Sequence, residues 1–217
     1  YISEHHGHAS VRAIWEHARE LDGYAALEAA LADAGTTLDD TMRGFSLALL
    51  MRDFEEGAQY PILRLEGEAT TESNFAPQDG VGQMAADYIE IFAGGITSIE
   101  LEADDLEGML VGIHSGQAHV FSIPSSQITG DASPYDHLYL IVLNLDQAHN
   151  ENECEFTSYR VNLQNSTQEA NFPIPDTYMA SHFSPPQIEP LLDPEEYWGE
   201  DWDEWDYEEV EAPSNLI

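Results

Sequence analysis

The sequence contains no lysine, and its six arginines face 42 aspartates and glutamates, giving a formal net charge of -36 over 217 residues. Nucleic acid is excluded as a partner, because phosphate neutralisation by Lys and Arg supplies most of that affinity. Anionic membrane surfaces are excluded for the same reason. Cysteine is nearly absent too. The single Cys154 permits no intrachain disulfide, and the compartment cannot be read from sulfur. No run approaches the roughly 20 apolar residues of a membrane-spanning helix. Phosphate cradles are missing: Gly80-Val81-Gly82 lacks a third glycine and a following lysine. No signal peptide is visible, and the chain opens at Tyr1 rather than Met, with the look of a helix already under way. That opening points to a processed or truncated chain.

Apolar residues are not scarce: 42% of the chain is hydrophobic, and the apolar runs are periodic. A core can therefore form, with the charge left on the surface, where it attracts cations or basic partners. Saline or calcium-rich surroundings would screen the self-repulsion, which fits an extracellular or cell-surface setting.

Residues 1–57 read as three short helices. Ser10 is a plausible N-cap, followed by Val11, Ile14, Trp15, Ala18 and Leu21 at helical spacing. Asp22 opens a second helix with a narrow stripe of Leu27, Ala30, Leu31 and Ala34, stopped by Gly35. Thr37 and Asp40 form a capping-box-like start for a third, with Met42, Phe45, Leu49, Leu50 and Phe54 apolar and Gly57 closing it. Stripes this small need another surface to pack on, supplied by the next region or by something beyond this chain. Over residues 60–164 the period changes to two. Strands are expected at 62–68, 87–93, 97–103, 108–114, 119–123, 137–145 and 156–163, separated by turn signals such as Gly94-Gly95 and Gly130-Asp131. The expected class is α+β: a small helical segment, then an antiparallel, jelly-roll-like β-sandwich.

Residues 165–217 lack periodicity and hold seven of the eleven prolines. Within them, 193–211 interleaves eleven carboxylates with Tyr197, Trp198, Trp202, Trp205 and Tyr207. A bare charge run is a solvated tail. The aromatic interleaving points instead to rings docked in grooves of its own or a neighbouring subunit, with the carboxylates facing water, cations or arginines; the alternative is a loosely held tail.

The order of elements resembles a known family. Tyr1-Ile2-Ser3-Glu4-His5-His6-Gly7, followed by Val11-Arg12-Ala13-Ile14-Trp15-Glu16, resembles a passage of secreted bacterial gluzincin-type metallopeptidase-like proteins. Residues 26–35 and 45–50 continue the likeness. Asp87-Tyr88-Ile89-Glu90-Ile91 and His137-Leu138-Tyr139-Leu140-Ile141-Val142 look like strands of a pre-peptidase C-terminal type sandwich. The likeness covers about residues 1–164. It implies post-catalytic helices plus an accessory sandwich, with the zinc helix His-Glu-x-x-His lying before Tyr1. No such motif is present here, so no catalytic residue is carried over.

Of the remaining chemistry, His5, His6 and His8 are imidazoles without a glutamate at zinc-protease spacing. Cys154 sits between Glu153 and Glu155, whose charges oppose a reactive thiolate. Calcium is the better candidate ion, since it takes six to eight oxygens and carboxylate-rich loops supply them. Asp104, Asp105 and Glu107 form one such loop, Asp131 and Asp136 a second, and Asn150–Glu153 a third; none has EF-hand spacing. Asn165-Ser166-Thr167 is a glycosylation sequon. The expected function is a non-catalytic extracellular accessory or structural module contacting other protein subunits, its own copies or the cell envelope. The alternative is the C-terminal part of a secreted zinc metallopeptidase whose catalytic half is elsewhere.

Overall fold

Two strands with almost unbroken apolar sequence organise the molecule. The computed structural model describes residues 1–59, 63–115, 117–123, 127–147, 155–167 and 176–178. Strand β1 spans Gly67–Thr70, β2 Val81–Gly82, β3 Ala85–Phe92, β4 Ile96–Glu102, β5 Glu107–His114 and β6 Gln117–Ser122. After these come β7 at Gln127–Asp131, β8 at His137–Asn144, β9 at Phe156–Thr157, β10 at Arg160–Asn165 and β11 at Asp176–Tyr178. The main sheet runs β1-β3-β8-β5-β6-β11, and a smaller sheet runs β10-β4-β7. In the central pair β5 and β8 nearly every residue is buried, the signature of strands covered on both faces.

The inner face of the main sheet carries Ala69, Ile89, Ile91, Leu110, Phe121, Leu138, Leu140 and Val142, which pack on Ile99, Leu101, Ile128, Val161 and Leu163 of the small sheet. That is the sandwich. The outer face carries Tyr88, Met109, Val111, Tyr139, Ile141 and Leu143, and Leu47, Leu50 and Met51 cover part of it.

Those covering residues belong to the last of four helices: α1 (Ile2–His5), α2 (His8–His17), α3 (Gly23–Asp33) and α4 (Leu38–Met51). The Thr37 hydroxyl caps α4 by accepting from the Asp40 amide at 3.0 Å, as the sequence implies. The Tyr88 hydroxyl donates to the Ser46 carbonyl at 3.0 Å, and Arg43 forks onto Glu107 through Nε and Nη2, each at 2.8 Å. These bonds hold α4 to β3 and β5.

Several expectations need correction. Ser10 lies inside α2, which starts at His8 after Gly7 (φ +84), and its hydroxyl donates to the His6 carbonyl instead. Helix α4 ends at Met51 with Arg52 left-handed (φ 52), so Gly57 does not close it and Phe54 lies beyond it. The strand expected at 62–68 is displaced to Gly67–Thr70 and pairs parallel with β3, so the sheets are not wholly antiparallel. Leu63 and Leu65 pack on the outer face without joining the ladder. The expected strand 156–163 breaks at Ser158 and Tyr159 into β9, paired with β2, and β10, paired with β4. Strands β2, β7 and β11 were not foreseen; β7 contains the Gly130-Asp131 pair read as a turn, and β11 falls in the stretch read as aperiodic.

Candidate functional site

The sequence-derived carboxylates do not converge. Asp104 and Asp105 sit on the exposed β4–β5 turn, where Asp105 takes a left-handed conformation (φ 59) that aspartate tolerates. Glu107, next on β5, is held by the Arg43 fork. Asp131 pairs with Ile96 at the opposite end of β4, and its Oδ1 accepts from the Ser133 amide (3.0 Å) and hydroxyl (2.6 Å), which lowers its pKa. Asp136 accepts from the Ser115 amide at 2.8 Å, beyond the far end of β5. The five are thus divided between the two ends of the sandwich. Among the described residues no three His, Cys, Asp or Glu side chains are grouped to hold a metal. His5 stacks on Tyr1 with ring centroids 4.1 Å apart, and burial followed by the nearby His5 lowers the pKa of His6. Cys154 and the loop around it, like Tyr197, Trp198, Trp202, Trp205 and Tyr207, lie outside the described residues.

A different constellation is assembled where β3 runs out and β8 begins. A cleft of about 430 Å³ is lined by Glu90, Ile91, Phe92 and Ala93 of the β3 end, Ala132, Tyr135 and Asp136 of the β7–β8 loop, and His137 and Leu138 of β8. Strand alternation puts Glu90 and Phe92 on one face of β3, and Glu90 opposes Tyr139 across the ladder. His137, two residues from Tyr139, joins that face. Its Nδ1 meets Glu90 Oε1 at 3.3 Å, with the glutamate side chain 12% exposed and the histidine 53%. The imidazole lies nearly parallel to the Tyr139 ring (centroids 6.0 Å apart, 12° between planes). The Tyr139 hydroxyl is buried without a hydrogen-bond partner among the described residues, and burial and then the charge of Glu90 raise its pKa. Phe92 stands at the rim, 48% exposed.

The loop wall is rigidly supported. Gly112 has no Cβ, and one added there would collide with the Tyr135 ring, so glycine lets that ring lie against β5. Tyr135 also meets His119 and Phe121 edge-on, at 5.8 and 6.1 Å. The Asp136 amide donates to the Ile113 carbonyl at 2.7 Å, and the Ala132 amide to Gly95 at 2.9 Å.

Among the described residues, the hydrogen-bond partner of His137 is Glu90, and no hydroxyl or thiol is bonded to its ring. Ser115 Oγ lies 3.5 Å from His114 Nε2, while Asp136 Oδ2 accepts from the Ser115 amide rather than from that imidazole. What the cleft offers is carboxylate oxygens, aromatic faces and an imidazole on a preformed frame. Sequence reading missed it because Glu90 and His137 are 47 residues apart and meet only through the β3–β8 register.

Neither a family model nor a curated protein sequence matches the chain. Among solved structures it is similar to PliG of Salmonella Typhimurium, a periplasmic inhibitor of g-type lysozyme, at 18% identity and a TM-score of 0.30, covering 45% of this chain and 96% of that one. A PliG mutant from Escherichia coli is similar at 11% identity and a TM-score of 0.29, with the same coverage. At these values the likeness carries no argument about what this chain binds or does.

Proposed function

We propose that the protein is a non-catalytic binding module of the cell exterior, which presents a β-sandwich and an acidic-aromatic C-terminal segment to a protein partner or to further copies of itself. The cleft between β3 and β8 carries this reading. It is preformed and braced by the β7–β8 loop, it mixes apolar, aromatic and charged walls, and its histidine–glutamate pair has no nucleophile beside it among the described residues. The charge of -36 favours an extracellular or cell-surface location, where salt screens self-repulsion, and favours basic partners. The second element is the segment with Tyr197, Trp198, Trp202, Trp205 and Tyr207, whose rings supply the apolar anchors that interfaces prefer. Sedimentation of the whole chain and of a chain ending at residue 192 tests the assignment. The shortened chain is expected to lose association while keeping the β-sheet circular dichroism of the parent. Unchanged association would remove the C-terminal segment from the reading.

One observation favours a second reading, the C-terminal part of a secreted zinc metallopeptidase. Helix α2 buries only Ser10 and leaves Trp15 73% exposed, an apolar surface that a preceding domain would cover. Comparing Trp15 accessibility to a quencher in this chain and in a longer one extended upstream separates the two.

A further inference from the structure

We infer that the β3–β8 cleft receives an arginine side chain from a basic protein partner, with Glu90 as its anchor and Phe92 as the surface on which the guanidinium lies. The inference rests on the binding-module reading and supplies the chemistry of its partner. Each carboxylate in the cleft uses one oxygen internally: Glu90 Oε1 faces His137, and Asp136 Oδ2 accepts from the Ser115 amide. Glu90 Oε2 and Asp136 Oδ1 have no partner among the described residues. The Glu90 side chain is only 12% exposed. Its interactions are therefore screened less than those of a free surface charge. The 3.3 Å contact to a half-exposed histidine is longer than the 2.7–2.9 Å of a strong charge-assisted bond, so His137 leaves most of that acceptor's capacity open.

The flanking groups select the kind of cation. Phe92 is 48% exposed at the mouth, two residues from Glu90 on the same face of β3, and Tyr135 is also among the lining residues. A planar guanidinium stacks on such a ring while its N–H fork reaches a carboxylate, which a compact ammonium does less well. The chain has few cations of its own to offer. The sequence has no lysine, and Arg12, Arg43 and Arg160 are engaged by Glu16, by Asp40 and Glu107, and by Glu102. In a chain with 42 carboxylates, general attraction brings a basic partner near, and the cleft distinguishes one side chain from the rest.

The test is an amide NMR titration of the full 217-residue chain in about 150 mM salt, the ionic strength at which screening reaches about 8 Å. The probes are acetyl-Gly-Arg-Gly-amide and its neutral isostere with citrulline in place of arginine. Saturable shifts on Glu90, Phe92, Tyr135, Asp136 and His137 are expected with the arginine peptide and none with the citrulline peptide. Glu90→Gln should weaken binding at least tenfold and Phe92→Ala about threefold, while Glu20→Gln, an exposed carboxylate outside the cleft, leaves it unchanged. Equal binding of both peptides, shifts scattered over the whole acidic surface, or wild-type affinity in both Glu90→Gln and Phe92→Ala would overturn the inference. Because Phe92 is at the rim, its variant keeps the test decisive should Glu90→Gln fail to fold. A null titration alongside association that still needs residues 193–217 overturns the arginine site alone. Loss of that association with an intact titration instead removes the role of the C-terminal segment.

Discussion

The β5–β8 pair and the α2–α3 hairpin are both built on apolar repeats, yet they secure the chain to very different degrees. In the strands, the inner repeat meets the small sheet and the outer repeat meets α4, Leu63 and Leu65, so Leu110, Leu140, Val111 and Ile141 are all fully buried. In the hairpin, α2 buries a single serine and α3 buries Ala26, Ala30 and Leu31. With about 1.5–3 kcal/mol for each large apolar side chain buried, the sheets hold most of the stabilisation and the hairpin little. An apolar repeat stabilises only in proportion to the surface that receives it. Truncating one buried leucine in each region is the strongest challenge to that contrast. Leu140→Ala is expected to cost about 3–5 kcal/mol of global stability. Leu31→Ala should cost about 2 kcal/mol and loosen only the hairpin. Hydrogen exchange checks both: the first variant should lower protection throughout β5 and β8, and the second only in α2 and α3. Equal loss of sheet protection in both would erase the contrast.

The sandwich is not uniformly apolar, and its polar end gives a smaller effect. Asp87 lies on β3 with its Oδ2 accepting from the Tyr159 hydroxyl at 2.8 Å. Burial raises the Asp87 pKa above the ordinary 3.8, and the tyrosine bond opposes that rise. Glu66 is raised above 4.5 by burial and then by the charge of Asp87. A raised carboxyl pKa means that the folded state holds the proton more tightly. The contribution is therefore fully present below 3.8 and 4.5 and is lost as pH rises through the raised values. Tyr159→Phe removes the donor that favours the ionised Asp87. It should cost about 1–3 kcal/mol at pH 7 and less at pH 4.5, because the raised pKa favours the protonated carboxyl as pH falls. Urea unfolding at both pH values measures this. Asp87→Asn is the control, because the general repulsion among 42 carboxylates also relaxes in acid and must remain in that variant. If Tyr159→Phe loses as much at pH 4.5 as at pH 7, the pair is not coupled as the geometry implies.

How much of this was legible in the sequence depends on the range of the interaction. The Thr37 cap, the Gly35 stop and the main strands around Ile89, Leu110 and Leu140 follow from local chemistry and alternation, and all stand. Arg52 was not foreseeable as the end of α4, because nothing local marks an arginine for a left-handed conformation; its Nε donates to the Gly57 carbonyl at 3.0 Å. Strand β7 was hidden by Gly130, which reads as a turn but pairs with Thr97 inside the ladder. The cleft was least legible. Glu90 and His137 each read as an ordinary polar residue in an alternating strand, and only the register that opposes Glu90 to Tyr139 brings them together. The carboxylate loops were read as separate sites, and the fold keeps them apart, with Asp104 and Asp131 beyond opposite ends of β4.

The smallest expected effect addresses the hairpin side of the contrast. Trp15 was read as part of the apolar stripe of its helix, but it is 73% exposed and Leu21 beyond the helix is 40% exposed. If α2 contributes as little as its burial implies, Trp15→Ser should change stability by no more than about 0.5 kcal/mol, as for other surface positions. Thermal unfolding of this chain measures it directly. A loss above 1 kcal/mol would mean that the indole is covered and that the hairpin is better anchored than its one buried leucine indicates. Repeating the substitution in a chain extended upstream sharpens the result. A large loss there, with none here, identifies the face of α2 as the surface a preceding domain covers, and equal small effects in both leave the hairpin as a solvated arm of the sandwich.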